Sequence, residues 1–200
     1  MPLNSSAFPP DHTLPAQPAA HGITRQLVVV MGVCGSGKTT IAEGLHNELG
    51  WPWLDADTLH EPASIAKMRD GIPLTDADRS AWLERCHTWL RGCAERNTGG
   101  ILACSALKRA YRNRLREQGL AVQFVHLHAD ENTLHTRVEA RTGHFMPSSQ
   151  LPNQLETLEP PHPDEAAWSL STLHQPAETI AQIMGLLKAK KSLKTGRYGS

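Results

Sequence analysis

The residues with the clearest chemistry form a glycine-rich string that matches G-x-x-x-x-G-K-[ST]. Its members, with the residue that follows, are Gly32, Val33, Cys34, Gly35, Ser36, Gly37, Lys38, Thr39 and Thr40. Glycines let the backbone turn tightly, so that successive N–H groups converge on phosphate oxygens. In this pattern Lys38 brings positive charge to the β- and γ-phosphates, and the Thr39 hydroxyl is a ligand of Mg²⁺. The string therefore predicts a site for ATP and Mg²⁺.

The surroundings of this string support that interpretation. It follows an apolar run that ends at Met31 and precedes a segment with helical periodicity. A phosphate loop lies between a strand and a helix, and the positive N-terminal end of the helix adds to the attraction for phosphate. A GTPase would also carry the strings N-K-x-D and D-x-x-G, and the sequence contains neither. The pattern favours a small ATP-dependent kinase.

Two carboxylates follow the second apolar run. Asp55 and Asp57 stand two residues apart in the string LDAD, so on a strand both side chains point to the same face. In parallel α/β sheets, ligands bind beyond the carboxyl ends of the strands. We predict that Asp55 helps to hold Mg²⁺ and that Asp57 accepts the proton of an acceptor hydroxyl. A helix cap or a loop carboxylate is the alternative, and for Asp55 the sequence leaves both roles open.

Basic side chains recur near the end of a predicted helix. Arg137 and Arg141 are four residues apart and share one helical face, and His144 follows in the string GHFMP at 143–147. Arginines stabilise the negative charge that spreads over the phosphoryl oxygens during transfer. We predict this role for Arg137 and Arg141, with a lid around His144. A solvated basic stripe is the alternative.

Strand and helix patterns alternate along the chain. Strands are predicted at 26–31, 53–57, 101–104, 122–127 and near 168–173. Helices are predicted at 39–49, 61–69, 76–96, 108–118, 130–141, 148–158 and 176–188. Strands separated by helices imply an α/β fold, in which a parallel sheet is covered on both faces.

Length and composition fit one globular domain. The 200 residues carry twenty basic and twenty acidic side chains, so no net charge favours nucleic acid or anionic lipid as a partner. The longest apolar run, at 27–33, is too short to cross a membrane, and we expect no secretory signal because the first residues lack both a cationic start and an apolar stretch. We expect a flexible tail at 1–24, a kinase domain at 25–187 and a basic flexible tail at 188–200. The four cysteines are expected to be free thiols in a reducing cytoplasm.

Further strings, in this order and spacing, resemble the gluconate kinase family from about residue 28 to residue 176. They are MGV (31–33), LH (59–60), KM (67–68), GIPL (71–74), DR (78–79), WL (82–83), CSALK (104–108), YR (111–112), ARTGHF (140–145), LETLE (155–159) and QP (175–176). The resemblance implies a nucleoside-monophosphate-kinase-like P-loop fold with a helical substrate region and a lid. It also implies a cytoplasmic, Mg²⁺-dependent homodimer that transfers the ATP γ-phosphate to the 6-hydroxyl of D-gluconate.

An open-chain polyol acid needs cations for its carboxylate and hydrogen-bonding groups for its hydroxyls. The residues of this sequence that we nominate for the acceptor are Asp57, His60, Lys67, Arg79, Ser105, Lys108 and His144. For any one of His60, Lys67, Arg79, Ser105 and Lys108, a surface or capping role is the alternative.

The chain departs from the family pattern at a few positions. Ala56, Glu61 and Ser64 stand where the family usually has Gly, Pro and Asn, and the string TLH at 172–174 replaces Asp-Ile-Asp. Three of these changes lie beside the predicted acceptor pocket. The sequence therefore leaves open a sibling kinase for another sugar acid or a shikimate-like polyol. A weakly catalytic ATP-binding regulator is the other alternative.

Overall fold

The computed structural model describes residues 23–72, 74–140 and 150–195, and within them five parallel strands form one sheet in the order β2-β3-β1-β4-β5. The strands are β1 (Leu27–Met31), β2 (Trp53–Asp55), β3 (Gly100–Ala103), β4 (Val122–His128) and β5 (Trp168–Ser171). The predicted α/β class is confirmed, including the fifth strand. The carboxyl ends of all five strands lie at one edge of the sheet.

Helices connect these strands within the described residues. They are α1 (Lys38–Leu49), α2 (Pro62–Arg69), α3 (Asp76–Glu95), α4 (Arg109–Leu115), α5 (Glu131–Glu139), α6 (Gln150–Thr157) and α7 (Pro176–Thr195). None of them is long and apolar enough to span a membrane. Most predicted bounds differ from these by a residue or two. The helix predicted at 108–118 is shorter, because Gln118 at φ 57° lies outside the helical region and a 3-10 turn follows α4.

The central strand β1 is buried on both faces of the sheet. Val28 and Val30 pack with Leu45 of α1 and Ile183 of α7 in one core cluster. The alternating residues of β1 pack in a second cluster, which contains Trp82 of α3 and Leu115 of α4. The sheet is therefore a layer between two layers of helices, as the continuous apolar runs predicted. All four cysteines are buried thiols.

The two predicted tail boundaries are wrong in detail. Ile23, assigned by sequence to the tail at 1–24, is 1% exposed in the first core cluster. Helix α7 continues beyond the predicted end at Lys188 as far as Thr195. The Lys190 ammonium donates a 2.6 Å hydrogen bond to the Gln123 side chain and lies 5.8 Å from the Trp168 ring centroid, which ties this part of the helix to the sheet.

A buried ion pair fixes the loop that follows β3. The Arg112 guanidinium donates to both carboxylate oxygens of Glu165, at 2.6 and 2.8 Å, and the side chains are 0% and 2% exposed. The same guanidinium donates to the carbonyls of Ala106, Leu107 and Glu159. Arg112 therefore holds the 105–107 loop and the chain after α6 in one arrangement. The hydrogen bonds from Arg112 lower the pKa of Glu165 to about 2.

We expect Glu165→Leu to lower the free energy of unfolding by about 3–5 kcal/mol, because it leaves the Arg112 charge buried without its carboxylate. The double variant Arg112→Met/Glu165→Leu should lose less than the sum of the two single changes. Urea unfolding measures all three. Arg109→Met, which removes the exposed pair with Asp164, is the matched control and should cost about 0–1 kcal/mol. A loss below about 1 kcal/mol for Glu165→Leu would contradict this account.

A buried histidine on β4 predicts loss of stability in mild acid. His126 is 6% exposed, and burial, then His128 and Arg112, lower its pKa to about 4. Between pH 6.5 and about 4 the unfolded chain binds a proton at this position that the folded chain does not, so stability falls as the pH falls through this window. His126→Gln should flatten the dependence of the unfolding free energy on pH between 5 and 6.5, measured by urea titration. Equal slopes for parent and variant in that window would refute the prediction, and both proteins should show equal slopes above pH 7.

Candidate active site

The predicted phosphate loop lies between β1 and α1, at the carboxyl edge of the sheet. Gly32 has φ 142°, and a β-carbon there would lie 2.5 Å from the Leu127 carbonyl oxygen. Gly35 has φ 78°, and its β-carbon would lie 2.9 Å from the Leu134 carbonyl oxygen. Only glycine fits these two positions, which lets the loop pack closely against β4 and α5.

The two polar side chains at the start of α1 already have partners. The Lys38 ammonium donates a 2.9 Å hydrogen bond to the Val33 carbonyl, so it bends back over the loop. The Thr39 hydroxyl donates to Asp55 Oδ2 at 2.9 Å. A hydroxyl and a carboxylate oxygen in contact match the hard oxygen ligands that Mg²⁺ takes in kinases, together with phosphate oxygens and water. The residues present therefore fit the predicted Mg²⁺ site.

The prediction that Asp55 and Asp57 share one face of a strand is wrong. Strand β2 ends at Asp55, and Asp57 lies in the 3-10 helix Ala56–Leu59. The physical reason is a cap: Asp55 Oδ1 accepts a 3.1 Å hydrogen bond from the Asp57 backbone N–H, which turns the chain out of the strand. Both carboxylates nevertheless line the same cavity.

That cavity has a volume of about 310 Å³ and runs along the carboxyl edge of the sheet. Its lining joins the phosphate loop and the first turns of α1, at residues 34–41, to side chains from four other regions. These are Asp55, Asp57 and His60 at and after the end of β2; Met68, Leu74, Arg79 and Trp82 of the α2–α3 region; Ser105, Leu107 and Tyr111 after β3; and Arg137, Gln150, Asn153, Gln154, Thr172, His174, Pro176 and Thr179 from α5, α6, the segment after β5 and the start of α7. One cavity thus holds most of the predicted phosphate and acceptor residues. Gly32 and Val33 lie outside this lining, at the base of the loop.

One wall of the cavity combines aromatic and cationic groups. The His60 ring stacks on Trp82, with centroids 4.6 Å apart and planes 8° from parallel. Burial, then the positive charges of Arg79 and Arg85, lower the pKa of His60 to about 4, so the imidazole is neutral near pH 7. Arg79 donates to the Leu74 carbonyl at 2.6 Å and lies 5.8 Å from the Tyr111 ring centroid. This wall offers a fixed cation and a neutral imidazole.

Two nominated cations are paired with carboxylates at the start of α3. Lys67 donates to Asp78 at 2.7 Å, and Lys108 donates to Asp76 at 2.9 and 3.0 Å. Both residues are described by the structure, and neither lines the cavity. Asp76 also accepts a hydrogen bond from the Tyr111 hydroxyl, and this bond, followed by that from Lys108, lowers the pKa of the Asp76 carboxyl. The lysines therefore hold the carboxylates at the start of α3.

Arg137 reaches the cavity from α5. Its guanidinium donates to the Thr172 hydroxyl at 3.0 Å and to the Thr172 carbonyl. Thr172 is one of the positions at which the sequence analysis found a departure from the family pattern. The residue at this position therefore contacts a predicted catalytic side chain. Arg141 and His144 lie outside the described residues.

Helix α6 contacts the phosphate loop directly, which the sequence did not indicate. Gln154 Oε1 accepts a 2.7 Å hydrogen bond from the Cys34 backbone N–H. Leu151 of the same helix packs with Val33 and Cys34 in a third apolar cluster. Trp82 is a second lining residue that sequence reasoning missed, because its helical spacing indicated only the core. The string YR at 111–112 marked Tyr111, but no pattern placed its ring in the cavity.

The parallel sheet, the phosphate loop and the Thr39–Asp55 contact define a P-loop kinase. A family model described as an AAA domain matches residues 27–161. The gluconokinase of Gluconobacter oxydans is 46% identical over 84% of this chain and 95% of its own length. Among solved structures, a sugar kinase from Janibacter sp. has a TM-score of 0.78 at 44% identity, over 82% of this chain and 95% of its own. A gluconokinase from Sinorhizobium meliloti has a TM-score of 0.77 at 39% identity, over 88% and 99%.

The chain belongs to the gluconokinase family. The family resemblance inferred from the sequence strings is therefore confirmed, and so is the kinase class.

Proposed function

We propose that the protein transfers the γ-phosphate of ATP to the 6-hydroxyl of D-gluconate, which gives 6-phosphogluconate and ADP. The observation that carries the proposal is the single cavity in which the phosphate loop shares a lining with Asp57, His60 and Arg79. The choice of gluconate comes from the relatives named gluconokinase, which match this chain over most of their length.

In the proposed reaction the oxygen of the 6-hydroxyl attacks the γ-phosphorus, and the bond from that phosphorus to the β–γ bridging oxygen breaks. The hydroxyl proton passes to the Asp57 carboxylate. Lys38 leaves the Val33 carbonyl and stabilises the charge that develops on the β- and γ-phosphate oxygens, with Arg137 and Arg141 on the γ-phosphoryl group. Thr39 and Asp55 would hold Mg²⁺, which would neutralise phosphate charge when bound.

The acceptor groups have separate tasks in this proposal. Arg79 is the cationic side chain of the aromatic wall, so it binds the carboxylate of gluconate. Neutral His60 and the Ser105 hydroxyl exchange hydrogen bonds with the acceptor hydroxyls, because each can donate or accept. His144 stays a prediction for the acceptor. Lys67 and Lys108 remain predicted acceptor residues. Their role would be indirect, because each orients a carboxylate at the start of α3.

The family resemblance also supports a Mg²⁺-dependent homodimer that works in the cytoplasm. Light scattering coupled to gel filtration measures the oligomeric state, and a mass of one 21.9 kDa chain in solution would contradict the dimer.

An acceptor panel tests the proposed function. ADP release from Mg·ATP is measured with D-gluconate, its epimers, other sugar acids and shikimate. Selective turnover of D-gluconate supports the proposal and shows that Ala56, Glu61 and Ser64 are compatible with it. Preference for another acid favours a sibling kinase, and ATP binding without turnover of any acid favours a regulator.

A further inference from the structure

The segment that carries two proposed acceptor residues is short and lies between β2 and α2. It comprises residues 56–61, here named the acceptor turn, and begins with the 3-10 helix Ala56–Leu59. Asp57 and His60 both line the cavity from this turn. Its own backbone gives it limited support, since within the turn the His60 N–H reaches the Asp57 carbonyl at 3.3 Å. The position of both side chains therefore depends on what the turn packs against.

Helix α3 contacts the beginning of the acceptor turn through Trp82. The indole N–H of Trp82 donates a 2.7 Å hydrogen bond to the Ala56 carbonyl, and this contact is buried. The indole face stacks on the His60 ring. Trp82 is 2% exposed and belongs to the second core cluster. Trp82 thus anchors the beginning of the turn and the His60 ring to the core.

Helix α3 contacts the end of the acceptor turn through Arg85. Arg85 Nε donates a 2.8 Å hydrogen bond to the Leu59 carbonyl, and Nη1 donates a 2.8 Å hydrogen bond to Glu61 Oε1. Residues 82 and 85 are three apart, so they lie on one face of the helix and reach the two ends of the turn. Glu61 is 61% exposed, and an exposed ion pair by itself contributes little stability. Its main effect is to orient the guanidinium so that Nε meets the Leu59 carbonyl.

We propose that Arg85 is a positioning residue, which with Trp82 clamps the acceptor turn and so fixes Asp57 and His60 against the acceptor. The proposal rests on the proposed function and deepens it by adding a residue that positions the acceptor site. No motif of the sequence marked Arg85. The Arg85 guanidinium donates to the main chain directly before His60 and to the side chain directly after it.

These contacts explain why replacing Arg85 should change the kinetic constants for the acid rather than those for ATP. Loss of the Leu59 contact frees the end of the turn that holds His60, while Thr39 and Asp55 keep their own hydrogen bond. A displacement of about 1 Å in a reacting group can cost about 10²-fold in rate. Removal of the Arg85 charge also removes one of the causes that keep His60 neutral.

The experiment compares Arg85→Met, Arg85→Lys and the parent. Methionine keeps an apolar stem but loses the charge and both donors; lysine keeps the charge but lacks the Nε donor. Arg91→Met is the matched control, because Arg91 lies on the same helix and pairs with exposed Glu95 and Gln118 instead. Initial rates are measured with ATP and D-gluconate varied separately. The titration of His60 is followed by NMR without substrate, with His60→Gln to assign the signal, and thermal melts check folding.

We expect kcat/KM for the acid to fall about tenfold or more in both Arg85 variants, with the KM for ATP within about twofold of the parent. The His60 titration should move to higher pH in Arg85→Met and less in Arg85→Lys, and Arg91→Met should match the parent throughout. Folded Arg85 variants with unchanged acid kinetics and an unchanged His60 titration would overturn the proposal. If the parent itself does not phosphorylate D-gluconate, the proposed function fails; because Arg85→Lys keeps the positive charge, a displaced His60 titration in that variant still shows that Arg85 positions the turn.

Discussion

Lys38→Ala is expected to lower turnover by about 10²–10³-fold or more while the protein stays folded. The ammonium acts on charge that appears during transfer, and removal of one group of this kind costs about that factor. In the structure the ammonium donates to the Val33 carbonyl of its own loop, so the fold does not depend on it for a buried ion pair. Steady-state rates with saturating Mg·ATP and D-gluconate measure the loss.

Lys188→Ala is the matched control for this change, because Lys188 is exposed on α7. It should keep the parental rate. Thermal melts of both variants should agree with the parent within a few degrees. Turnover of Lys38→Ala within tenfold of the parent would remove Lys38 from the chemistry.

Asp57→Asn is expected to lower kcat by about 10²–10⁴-fold and to leave the KM for ATP nearly unchanged. The amide keeps the size of the side chain but cannot take the proton of the acceptor hydroxyl, and general-base catalysis contributes about that factor. The Mg²⁺ site remains, since Thr39 binds to Asp55 and not to Asp57. A fall in kcat without a change in the KM for ATP marks a group that acts in the transition state.

Varying ATP and D-gluconate separately gives both constants for Asp57→Asn. Asp70→Asn, at an exposed position after α2, is the control and should behave like the parent. An unchanged kcat in Asp57→Asn would exclude Asp57 as the base. A raised KM for ATP with normal kcat would instead assign Asp57 to nucleotide binding.

The sequence predicted the features that depend on local spacing. The phosphate loop needs glycine where φ is positive, and β1 needs an unbroken apolar run because both of its faces are buried. Both requirements are visible as residue types at fixed intervals. The same holds for the long α3, whose apolar residues recur at helical spacing.

Contacts between distant parts of the chain could not be predicted in this way. The bond from Trp82 to the Ala56 carbonyl spans 26 residues, and the pair of Arg112 and Glu165 spans 53. Asp57 was misplaced for a local reason instead, because the Asp55 carboxylate competes for its backbone N–H and ends the strand. Lys67 and Lys108 were nominated for their charge. Their ion pairs with Asp78 and Asp76, which no local pattern shows, hold both ammonium groups outside the cavity lining.

The most direct test of the proposed reaction is the structure of the product. The protein is incubated with Mg·ATP and D-gluconate uniformly labelled with ¹³C, and the mixture is followed by ³¹P and ¹³C NMR. We predict one phosphorylated acid, with phosphorus coupling at carbon 6 and one ADP formed per molecule. Phosphate on another carbon, or ADP formed without a phosphorylated acid, would contradict the assignment of the 6-hydroxyl of gluconate as the acceptor.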